Sequence, residues 1–200
     1  MSQSSAAAHA DDHHYTSTGL DSWKVGFWAF IGSECLFFAS LIATYMAYKG
    51  ASVTGPYPPE ILDIPLTTVS TFVLLMSSLA MVLALDGVQR GNKKLALIWL
   101  GGVIVLGSVF LGFQVYEFNH FVHEGLTLGT NLFGSSFFVL TGFHGAHVTV
   151  GVIWMSVLFI MAARDKLGPE DALKVEIAGL YWHFVDVVWI VIFVLIYLIQ

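Results

Sequence analysis

Five stretches of this chain each have the length a helix needs to cross a membrane: Val25–Tyr48, Leu66–Leu85, Leu95–Tyr116, Leu132–Ala163 and Ile177–Ile199. A spanning helix takes about 20 mostly apolar residues. Inside lipid no water answers a backbone N–H or C=O, so each segment must satisfy its own, and a helix does so. The expected fold is therefore all-α, a polytopic membrane bundle of five transmembrane helices. Composition agrees: 56% of the 200 residues are apolar and 11% charged, against about a quarter charged in ordinary soluble domains. The fourth stretch is long enough to tilt or to project beyond the bilayer. The segments between the stretches are rich in Gly, Pro and charge, as linkers are. None is long enough for a second domain and no internal repeat is evident, so residues 23–200 read as one transmembrane domain.

Basic residues set the expected orientation, because short cytoplasmic loops retain Lys and Arg. Lys24, Arg90, Lys93, Lys94, Arg164, Lys166 and Lys174 fall on the side of the N-terminus, and Lys49 alone falls on the other. The N-terminus is expected in the cytoplasm and the C-terminus outside. Residues 1–22 are small and polar, with neither the basic start nor the apolar core of a secretory signal. They are expected to be a flexible tail whose "HADDHH" is at most a weak chelator. The net charge of −6 is dispersed and says little about partners. Cys35 is the only cysteine, which excludes an intrachain disulfide and any cysteine-based zinc, iron–sulfur or dinuclear copper site.

Polar residues inside the apolar stretches carry the functional information. An acid at the bilayer centre costs about 3 kcal/mol on insertion scales, so it persists where something answers it or uses it. Glu34 is ten residues beyond Lys24, roughly 15 Å along a helix. Phe30, Ile31, Phe37 and Phe38 surround it at one turn, so it is either protonated or paired with another helix. Among the deep histidines, His147 is its expected partner by depth. His144 and His147 share one face of the fourth stretch, flanked by glycines, and His183 and Asp186 share one face of the fifth and can pair there. Intramembrane histidines invite a metal or haem reading, but a buried hydrogen-bond network formed by Glu34, His144, His147, His183 and Asp186 is the simpler one. Glu117 is expected at the outer surface, ending the third stretch, with His120, His123 and Glu124 in the loop after it. The small pairs Ala29/Ser33, Ser108/Gly112 and Gly142/Ala146 have the four-residue spacing that suits close helix packing in lipid.

These same residues stand in "GSECLFF", "YEFNHFVHEG", "GSSFFVLTGFHGAHVTVG" and "YWHFVDVVW". In that order the four segments resemble the signatures of subunit III of the haem–copper terminal oxidases, over nearly all of residues 23–199. The resemblance implies a multi-pass subunit, in the bacterial cell membrane, of a respiratory complex that reduces oxygen to water and translocates protons. It implies a chain with no catalytic residue and no metal, haem or copper of its own. Haem would reside in catalytic subunit I and copper in subunit II, with phospholipid as a further ligand. Its role would be to support stability, lipid binding and proton uptake of the catalytic subunit. By matching position, Glu34 would be the family's membrane-buried carboxylate, Glu117 part of a family motif, and His144, His147, His183 and Asp186 the polar network.

The family's long form has seven spans, and this chain matches only its five-helix group. The short form occurs in cytochrome c oxidases and in quinol oxidases. Glu34 in "SEC" and the phrase "WHFVDVVW" favour cytochrome c as donor, with quinol as the alternative. A proton-linked secondary transporter is the remote alternative, although such proteins usually show internal repeats and broken helices.

Overall fold

The computed structural model of the protein describes residues 22–52, 55 and 62–199. Five long apolar helices make up the fold: α1 (Ser22–Tyr48), α2 (Ile64–Gln89), α3 (Lys93–His123), α4 (Leu132–Ala163) and α5 (Ala172–Phe193). A short 3-10 turn, Pro169–Asp171, leads into α5, and a π-helical turn, Val194–Leu198, closes it. The helices outrun the apolar stretches at several ends. An apolar stretch measures the thickness of hydrocarbon, whereas a helix continues into the headgroup layer until a side chain caps it. Asp63, Asn92 and Asn131 do this for α2, α3 and α4, accepting from Leu66 N at 3.0 Å, Leu95 N at 3.1 Å and Gly134 N at 2.7 Å. The third helix in particular runs past Tyr116 to His123, so Glu117 lies within a helix and is buried. The sequence expectation that it ends a span at the outer surface is corrected accordingly. The tail expected over residues 1–22 lies outside the described residues except for Ser22, which is helical.

Helices α2, α3, α4 and α5 pack in that cyclic order, and α1 lies against α4 and α5 on the flank. α5 is the most buried span and α1 the most exposed, with only Ile31, Phe38 and Tyr45 buried. The pivot of the bundle is Trp182. A Cβ placed on Gly107 of α3 would stand 2.7 Å from one edge of its indole, and one on Gly151 of α4 would stand 2.7 Å from another. Only glycine admits the ring at both places. α2 and α3 approach just as closely at their turn, where a Cβ on Gly87 would lie 2.7 Å from Ala96 N. The small pairs noted in the sequence do not make these contacts. Ala29, Ser33, Ser108 and Ala146 are exposed, and Gly112 and Gly142 face nothing within 4 Å. Spacing alone does not tell which side of an all-round apolar helix turns inward.

Candidate functional site

Three groups of polar side chains occupy the interior. The first runs along the seam between α2 and α5, where hydroxyls of α2 meet rings and acids of the antiparallel α5. Trp182 Nε1 donates to Ser77 Oγ at 2.9 Å, and Trp189 Nε1 donates to Thr71 Oγ1 at 2.9 Å. Between them Ser78 Oγ donates to Asp186 Oδ2 at 2.7 Å and lies 3.1 Å from His183 Nδ1. Serine has one proton to give. With that proton on Asp186, the contact with His183 requires an N–H on Nδ1, which donates back to Ser78. His183 and Asp186 are thus joined through a hydroxyl of another helix. Asp186 is 5% exposed, and its Oδ1 is buried with no hydrogen-bond partner.

The second group closes the far end of the same seam. Glu117 of α3, 5% exposed, accepts from Thr67 Oγ1 of α2 at 2.6 Å and from Tyr197 OH of the π turn at 3.2 Å. Thr67 Oγ1 also lies 2.8 Å from Asp63 O. A carboxyl there binds three pieces of chain to one another, and the turn Val194–Leu198 brings Tyr197 inward to reach it.

The third group ties α1 to α4. Glu34 Oε2 lies 3.1 Å from His147 Nε2, and His147 Nδ1 lies 2.7 Å from Phe143 O. Tyr181 OH of α5 donates to His147 O at 3.1 Å. The pair is only partly enclosed, at 19% and 18% side-chain exposure, with Phe38 edge-on to the imidazole at 4.9 Å. His144, three residues earlier and fully buried, takes no part in it. Its ring stacks on Trp189 at 4.9 Å and meets the edge of Phe110 at 5.9 Å, and neither nitrogen has a hydrogen-bond partner. Of the glycines beside it, Gly145 admits Gln114, whose Oε1 would lie 2.5 Å from a Cβ there, while Gly142 faces open space.

The five residues expected to form one network are therefore divided between the α1–α4 pair and the α2–α5 seam, with His144 in neither. Both nitrogens of His147 are engaged, His144 is walled by aromatic rings, and among the described residues no three His, Cys, Asp or Glu side chains are grouped. What these side chains do is bind one helix to the next.

Sequence reading passed over the partners Thr67, Thr71, Ser77, Ser78, Trp182, Trp189, Tyr197 and Gln114. Gln114 Nε2 donates to Thr141 O at 2.7 Å, joining α3 to α4. A signal did exist in "TTVSTFVLLMSS", where hydroxyls recur at helical spacing on one face of α2. It is faint, because a Ser or Thr in a helix can bond to the carbonyl one turn back, as Thr71 does to Thr67 O at 2.7 Å.

The comparisons with known proteins follow the same segments. A family model described as cytochrome c oxidase subunit III matches residues 4–200. The cytochrome c oxidase subunit 3 of Bacillus sp. (strain PS3) is 43% identical over 189 residues, 94% of this chain and 91% of the relative. The probable quinol oxidase subunit 3 of Staphylococcus saprophyticus is 43% identical over 177 residues, 88% of each chain. The quinol oxidase subunit 3 of Bacillus subtilis is 42% identical over 174 residues, 87% of this chain and 85% of the relative. With nearly the whole bundle covered in this way, the chain belongs to the cytochrome c oxidase subunit III family, as a multi-pass membrane subunit of a bacterial haem–copper oxidase that associates with the other subunits of its complex.

Proposed function

We infer that this chain is the non-redox subunit of a proton-translocating oxygen reductase whose electron donor is cytochrome c. It supports the stability, lipid binding and proton uptake of the catalytic subunit. Its partners are a haem-containing catalytic subunit I and a copper-containing subunit II. The N-terminus lies in the cytoplasm, on the side of Lys24, Arg90, Lys93, Lys94, Arg164, Lys166 and Lys174. The observation that carries the non-redox role is the fate of the motif residues. Glu34, His147, His183 and Asp186 each set one polar atom against a neighbouring helix, which is the work of a scaffold.

Cytochrome c as donor is supported by Glu34 within "SEC" and by "WHFVDVVW". The second reading, quinol as donor, is favoured by relatives named quinol oxidase subunit 3 at 42–43% identity. The test is to purify the complex in mild detergent and supply reduced cytochrome c and quinol separately. Turnover with cytochrome c supports the reading, and turnover with quinol alone overturns the donor. The purified chain by itself is expected to show no oxidase activity. Proton-coupled solute uptake by the reconstituted chain would instead make it a transporter.

A further inference from the structure

The hydrogens around His147 can be counted. Its Nδ1 lies 2.7 Å from Phe143 O. A carbonyl oxygen only accepts, so Nδ1 carries an N–H. On the other side of the ring, Nε2 lies 3.1 Å from Glu34 Oε2. If Nε2 were bare and Glu34 a carboxylate, two lone pairs would face each other beside the aromatic rings of Phe37 and Phe38. The contact is attractive only with one proton in it. That proton is on Nε2, giving imidazolium against carboxylate, or on Glu34, whose O–H then points at Nε2. The two arrangements have the same proton count, and both leave the pair with no net charge, the condition under which ionisable groups are best tolerated within a membrane.

We propose that Glu34 and His147 together form a one-proton binding site inside the membrane, and that the bound proton fastens α1 to the bundle. α1 has little else to hold it between its ends. It buries three residues, and it is further tied at its ends by Lys24 Nζ to Glu176 Oε1 at 2.8 Å and by Lys49 Nζ to Ile199 O. The chain's own helices enclose the pair only in part, at 19% and 18% side-chain exposure. The titratable groups around it come from all three helices. α1 adds Cys35, α4 adds His144 one turn away, and α5 adds Tyr181, whose hydroxyl is on His147 O, with His183 and Asp186 turned to Ser78. Among the described residues no Lys or Arg pairs with Glu34. Loss of the proton leaves a carboxylate against a lone pair. The fastening is therefore present while the proton is bound and is lost when it leaves. This holds whichever electron donor the complex uses.

The test uses the intact oxidase complex and two readouts. Infrared difference spectra across a pH titration should contain either a protonated-carboxyl band abolished by Glu34→Gln or an imidazolium band abolished by His147→Gln. Absence of both bands overturns the proposal. The second readout is thermal release of this chain from the complex, followed against pH. Wild type should lose resistance as pH rises. Glu34→Gln keeps an N–H aimed at Nε2 without a titrating proton and should be flat, whereas Glu34→Leu should be weakened at every pH. The same pH profile in wild type and Glu34→Gln would overturn the proposal.

Discussion

α1 and α5 lie side by side and run in the same direction, paired by Lys24 and Glu176 at one end and by Lys49 and Ile199 O at the other. They are held by different means. α5 is locked along its length: Trp182, His183, Asp186, Trp189 and Tyr197 each find a partner on α2 or α3. α1 is tied at its two ends and once in the middle, by Glu34 to His147. Apolar contact alone does not drive helices together in lipid, whose tails are as apolar as leucine, so close packing and hydrogen bonds decide which helix is central. The contrast teaches that equally apolar spans can be a pivot and a flank.

The largest effect expected from breaking this contrast comes from glycine. Gly151→Leu drives a side chain into the indole of Trp182, 2.7 Å from the new Cβ. The overpacking should remove about 3 kcal/mol and prevent the chain from accumulating in membranes. Gly32→Leu on α1, where nothing lies within 4 Å, should accumulate normally. Equal loss for both would remove the distinction between pivot and flank.

Asp186→Leu comes next. It strips the Ser78 hydroxyl, which itself accepts from His183, of its acceptor in a buried seam, a penalty of about 1–3 kcal/mol. Yield of the assembled complex should fall while turnover per intact complex persists. Full yield with abolished turnover would show Asp186 acting in the chemistry.

Trp189→Phe keeps an aromatic ring against His144 and removes one donor to Thr71. A loss of about 1 kcal/mol is expected, read as a lower midpoint of thermal release. The smallest effect belongs to Lys24→Met, which removes an ion pair of half-exposed side chains. Such pairs contribute under about 1 kcal/mol and are screened by salt. Any shift in the midpoint should vanish at high ionic strength, and a salt-independent shift would mean that α1 depends on its end more than on Glu34.

Glu34 was legible in the sequence because a carboxylate among phenylalanines is conspicuous, and the depth argument pointed to His147 as its partner. Glu117 was misplaced because the third span was ended where the apolar run stops, although the helix continues for another seven residues to His123. Its partners Thr67 and Tyr197 lie 50 and 80 residues away along the chain. His144 stood in a motif with His147 and looked equivalent to it. The two differ because positions three apart on a helix are rotated relative to each other, enough to aim one ring at Trp189 and the other at Glu34.

What the sequence determined by itself is that the chain has five helices, that they cross a membrane, and to which family they belong. Span count is a local property: hydrocarbon compels each segment to satisfy its own backbone, so twenty apolar residues declare a helix without reference to the rest of the chain. Tertiary structure decided which helix is central, why Gly107 and Gly151 must be glycine, and which hydroxyl answers which acid. Those facts reside in contacts between segments far apart in the chain. A helix that is apolar all round carries no stripe to say which of its sides will meet them.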